Sequence, residues 1–154
     1  MKKILAIITV AAITAMAGTA MAADTNTLTV SASVTGTCKF SSPSSTLAFG
    51  GLDPSIGTDV STSTDVNFWC TNGVTTDVIS ATQGLHWSGT KRQMEGPAPA
   101  DLIPYSLSLS PDSNPNIGPG TVRTLTIGGT VLGSDYIDAK TGSYSDTVVL
   151  NITP

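Results

Sequence analysis

Residues 27–35, TLTVSASVT, carry a hydroxyl at every odd position (Thr27, Thr29, Ser31, Ser33, Thr35) and an apolar side chain at every even one (Leu28, Val30, Ala32, Val34). Successive side chains of a strand point to opposite faces, so this strict alternation predicts a strand with one face meant for a core. The same parity recurs along the chain. Val60, Val66, Phe68 and Cys70 share a face within 58–71, as do Ile103, Tyr105, Leu107 and Leu109 within 102–110. Leu125, Ile127 and Val131 do so within 122–132, and Val148, Leu150 and Ile152 within 143–153. STLAFG (45–50) reads as a short strand, and VTTDVISA (74–81) as the return strand of a hairpin turned at Asn72-Gly73. Gly128-Gly129 suggests a bulge, 82–101 a long surface loop, and 111–120 a run of turns. No segment after residue 22 sustains a helical apolar period, and the Thr, Ser, Val and Gly content favours strands and turns. About seven short strands predict an all-β sandwich or barrel.

The first 22 residues have a different grammar. Lys2-Lys3 opens them, an apolar run follows from Ile4 to about Ala17, and Ala20-Met21-Ala22 forms an A-x-A site. Residues 1–22 are therefore expected to be a cleaved signal peptide, with the mature chain starting at Ala23. The run is too short and too rich in Ala, Thr and Gly for a membrane anchor, so no membrane insertion is expected. Without Lys2 and Lys3, five of the seven basic residues face eleven acidic ones, a net charge of −6. Such a surface repels phosphate backbones, which argues against nucleic acid as a partner. In an exported chain the two cysteines, Cys38 and Cys70, are most simply one disulfide.

Catalytic chemistry finds little to work with. His86 is the only histidine and Glu95 the only glutamate, and no G-x-S-x-G elbow occurs. Asp53, Asp59, Asp135 and Asp138 fit no EF-hand spacing and read as turn residues, so no metal is expected. Gly118-Pro119-Gly120 lacks the lysine and helix of a phosphate loop. No cofactor is expected. Trp69, Trp87, Tyr105, Tyr136 and Tyr144 could form a carbohydrate platform, with Trp87 in the 82–101 loop the best contact residue. Asn151-Ile152-Thr153 fits a glycosylation sequon but falls within a predicted strand.

The order of segments TLTVSASVTGTC, TLAFG, VNFWCTNG, KRQM, LIPYSLSLSPD, TLTIGGTV and GSYSDTVVLNITP resembles the spore coat protein U domain, whose family includes subunits of archaic, Csu-type chaperone-usher pili. Trp69, before the second cysteine, departs from the small or β-branched residue expected there. The resemblance implies an all-β, incomplete immunoglobulin-like sandwich completed by donor-strand exchange, with residues 23–36 as the donor segment and 37–154 as the sandwich. It assigns Leu28, Val30, Ala32 and Val34 to the donor strand. Val148, Leu150 and Ile152 fall at the acceptor groove or chaperone edge, and Cys38 and Cys70 match the family's disulfide pair. The implied partners are identical or related pilin subunits, a periplasmic chaperone and an outer-membrane usher. The implied location is a surface fimbrium serving adhesion and biofilm formation, with Gly36 giving the subunit junction some freedom.

Pattern alone also permits residues 27–35 to fold back into their own domain. Two other roles fit the sequence: a secreted monomeric carbohydrate-binding module, and a spore or cyst coat protein.

Overall fold

In the computed structural model, which describes residues 23–154, the parity of the sequence becomes burial. Seven strands are found among these residues: β1 (Cys38–Phe40), β2 (Val60–Cys70), β3 (Val78–Ala81), β4 (Arg92–Glu95), β5 (Leu102–Pro111), β6 (Arg123–Val131) and β7 (Leu150–Thr153). One short helix, α1 (Gly133–Tyr136), follows β6. The fold is all-β and immunoglobulin-like. A curled sheet runs β1-β2-β6-β5-β4, β3 pairs with β7 in a second, and every ladder is antiparallel. Among the described residues no helix is long and apolar enough to cross a membrane. The expected signal peptide lies outside them.

Val66, Phe68 and Cys70 of β2 meet Leu125 and Ile127 of β6 in one core cluster. Ile103 and Tyr105 of β5, Val131 and Tyr136 form a second. The opposite side of β2, β5 and β6 presents Ser61, Ser63, Asp65, Thr126, Ser106 and Ser108 to solvent, as the alternation requires.

Several sequence expectations need correction. Asn72-Gly73 does turn the chain, with Gly73 at φ +87, but the flanking strands do not pair. β2 lies between β1 and β6, while β3 pairs with β7, so the turn carries the chain from one sheet to the other. Residues 92–95 of the expected 82–101 loop form β4. Arg92 there donates to the carbonyls of Thr82 and Ala81, and Met94 packs on the second core cluster. Gly128-Gly129 makes no bulge, since β6 keeps continuous register with β2 and β5. A Cβ on Gly129 would lie 2.6 Å from Leu47 Cδ2 and 2.9 Å from Phe49 Cζ. The glycine clears space for residues 45–50 to lie over the sheet.

Two alternating segments take part in no ladder. Residues 45–50 are one. Residues 27–35 are the other, and Leu28, Val30 and Val34 are 84%, 84% and 85% exposed. A strand needs a neighbour, and alternation cannot report whether one is present. The final predicted strand also shortens to β7, with Ser145 alone bridging to Glu95.

The chain divides after Ser33, and residues 34–154 form the β unit. Within it Gly36 sits beside Val74 and Pro154, where an added Cβ would lie 3.3 Å and 3.6 Å from their side chains.

Candidate interaction groove

The sandwich is open along one side. β1 pairs only with β2 and β7 only with β3, so each turns an unpaired edge toward the other. The Cys38–Cys70 disulfide fastens β1 to the end of β2, where these two residues are also ladder partners. Beyond β1, residues 43–52 donate and accept no backbone–backbone hydrogen bond among the described residues. They are held by side chains instead: Leu47 packs on the first core cluster, and Phe49 and Leu52 on the second.

Opposite them runs the segment leading into β7. Its inward positions are Tyr144, Asp146, Val148, Leu150 and Ile152, all half-buried, with exposed residues between them. Ser145 exchanges two backbone hydrogen bonds with Glu95, and Val149 binds Thr82 through both its N–H and its carbonyl. This rim is thus anchored from outside, while its groove-facing edge has no strand beside it.

Between the rims lies a cleft of about 910 Å³. Ile103, Tyr105 and Leu107 of β5, Ile127 of β6 and Thr64 of β2 make its floor. Past Leu150 a depression of about 550 Å³ continues between β1 and Ile152. Of the acceptor positions expected from sequence, Val148 and Leu150 line the cleft, and Leu150 and Ile152 line its continuation. The eight residues 145–152 would span roughly 25 Å at strand rise, room for one extended segment. Such a segment could pair with unladdered backbone on both sides and set alternate side chains on the apolar floor.

Three groove residues escaped the sequence reading. Phe49 and Leu47 stand out in the sequence only as strand residues, and their alternation is the available signal. Asp146 was not singled out, although it is a carboxylate at an inward position of an otherwise apolar series. Its Oδ2 accepts from the Tyr105 hydroxyl at 2.7 Å, and its Oδ1 accepts from Leu85 N and Thr147 N, both at 2.8 Å. Gly84, at φ +84, makes room for this carboxylate, with which a Cβ would collide. Burial, reinforced by the bond to Asp146 and its charge, pushes the Tyr105 hydroxyl well above the usual tyrosine pKa.

Of the aromatic candidates for a carbohydrate platform, Tyr105, Tyr136 and Tyr144 line the cleft, whereas Trp69 and Trp87 do not. Tyr105 and Tyr136 are core residues, Tyr144 donates to the Lys140 carbonyl, Trp69 pairs with Lys39 in a ladder, and Trp87 bridges to Arg92. His86 Nε2 lies 3.4 Å from Glu95 Oε2. Asp53 is held by Ser55 in a local turn, Asp59 accepts from Gly133 N, and Asp135 meets Lys91. No three His, Cys, Asp or Glu side chains among the described residues form a metal set.

Residues 24–151 match the family model of the Spore Coat Protein U domain. No curated protein matches the chain.

Proposed function

Since the chain belongs to the Spore Coat Protein U domain family, a family of pilus- and coat-type structural proteins, we propose that it is a pilin subunit that polymerises by donor-strand exchange. Residues 23–36 of one copy fill the groove of the next, with Leu28, Val30, Ala32 and Val34 turned toward its floor. The observation that carries this reading is the pairing of an unladdered groove with an exposed alternating segment in the same chain. Burying Leu28, Val30 and Val34 would contribute roughly 5–9 kcal/mol, before any ladder hydrogen bonds form.

Chain direction supports exchange over self-filling. β7 runs toward Pro154, and residues 38–52 run away from Gly36, which lies beside Pro154. A strand between the rims is antiparallel to one and parallel to the other. Rooted at Gly36, the chain's own arm could enter only parallel to β7. The arm of another copy is free to run antiparallel to β7, the rim already in an antiparallel ladder. Such a head-to-tail contact does not close on itself and yields a filament.

Export through the periplasm, capping of the empty groove by a chaperone, delivery to an outer-membrane usher and display as a surface fimbrium for adhesion complete the proposal. Deleting residues 24–35 tests it. Surface fibres should vanish, together with the heat-sensitive, SDS-resistant ladder of multimers in unheated samples. Fibres that persist without the arm would refute donor-strand exchange.

A further inference from the structure

Tyr105 is the one floor residue that touches both rims through specific geometry. Its ring meets Phe49 of the 45–52 rim edge-on, with centroids 6.1 Å apart and planes at 61°. Its hydroxyl donates to Asp146 of the opposite rim at 2.7 Å. Asp146 in turn is fixed by the amides of Leu85 and Thr147. The result is a cross-brace from Phe49 through the Tyr105 ring and hydroxyl to a clamped carboxylate. Tyr105 itself is 8% exposed, and Asp146 is half-buried.

We propose that Tyr105 is a positioning residue that holds the empty groove at the width of an incoming strand. An apolar cleft gains free energy by closing on itself, since collapse removes its lining from water and restores contacts. The 45–52 rim has no backbone ladder to resist that closure. A rigid ring between the rims resists it, and the hydroxyl bond keeps the ring upright against the Asp146 side. An apolar residue in place of Asp146 could not orient the ring, which accounts for a carboxylate among Val148, Leu150 and Ile152. A groove held at working width admits its strand without first reopening, so the brace acts on association more than on the filled state. This inference rests on the donor-strand reading and adds what prepares the groove.

The test uses the mature chain 23–154 with its own arm disabled by Leu28→Asp, Val30→Asp and Val34→Asp. The probe is a fluorescein-labelled peptide of residues 24–36, followed by stopped-flow anisotropy. Tyr105→Phe should slow association roughly tenfold, the scale of losing one hydrogen bond to a charged group. Dissociation should stay within about twofold. Asp146→Ala should slow association equally, and the double variant should be no slower than either single one. If Tyr105→Phe does not fold, Asp146→Asn, which keeps an acceptor for the two amides, replaces it with the same expectation in weaker form. An unchanged association rate, or a loss carried by dissociation, overturns the brace while leaving donor-strand exchange intact. A chain with Tyr105 and Asp146 intact that binds no peptide at all overturns both.

Discussion

Arg123 reaches across the seam between the two sheets to Asp77, Nη1 to Oδ1 at 3.1 Å, with the side chains 8% and 12% exposed. Its Nε meets Asp112 Oδ1 at 2.9 Å, its Nη1 also donates to Asn116 Oδ1, and its guanidinium lies 4.9 Å over the Phe68 ring. One buried cation thus ties β6 to the residues before β3 and after β5. Removing one partner of such a group leaves a desolvated charge, so Asp77→Ala should cost about 3 kcal/mol. Urea denaturation of residues 23–154 measures it, and a loss below about 1 kcal/mol would mark the pair as dispensable.

Acid should weaken the same corner through Asp112. Burial acts to raise its pKa, but hydrogen bonds from Thr124 N, Arg123 and Asn114 outweigh burial and hold it below the usual carboxylate value. A pKa depressed by folding gives stability that is present above the unfolded value, about 3.9, and lost as pH falls through the folded one. Urea midpoints should therefore hold near neutrality and decline in that acid window. Asp112→Asn should lower the neutral midpoint and flatten the decline; an unaltered acid limb would assign it to other carboxylates.

Gly129→Val should disturb the 45–52 rim more than the sheet. Its side chain would enter space held by Leu47 and Phe49. Overpacking of this kind costs about 1–3 kcal/mol. The Leu47 methyl and Phe49 ring proton resonances should shift and broaden while the amides of β2 and β6 keep their exchange protection. Equal loosening of sheet and rim would contradict this.

The Cys38–Cys70 bridge closes a sequence separation of 32 residues. The loop-entropy relation puts its contribution at about 4 kcal/mol. Replacing both cysteines with alanine, or melting with and without reductant, should remove that amount. β1, held to the sheet by only three ladder positions, should be the first strand to lose exchange protection.

Parity made most of the sheet legible in advance. Val66, Phe68, Ile103, Tyr105, Leu125 and Ile127 are buried as their alternation predicts, because facing is a local property of an extended chain. Pairing is not local, and this is where the reading erred. Asn72-Gly73 carries ideal hairpin residues, yet the choice of partner for β3 is made by β7, some seventy residues away. RQME of β4 lacks alternation, and its strand is fixed by the Arg92 contacts and by pairing with β5. Gly128-Gly129 reads as a bulge because sequence does not reveal that Leu47 and Phe49 need the vacant volume. The shared face of Val148, Leu150 and Ile152 was legible from parity, whereas the Tyr105–Asp146 hydrogen bond was not, since the two residues meet only after folding.

The meeting of Gly36 with Pro154 bears on how this protein can be engineered. A tag or reporter fused after Pro154 would crowd the root of the N-terminal arm, the segment on which assembly is proposed to depend. Gly89 offers a better address. It lies in an exposed stretch and has nothing within 4 Å of where a Cβ would project, so an insertion that keeps the glycine meets open solvent. An inserted peptide therefore belongs at Gly89, away from the meeting of Gly36 with Pro154.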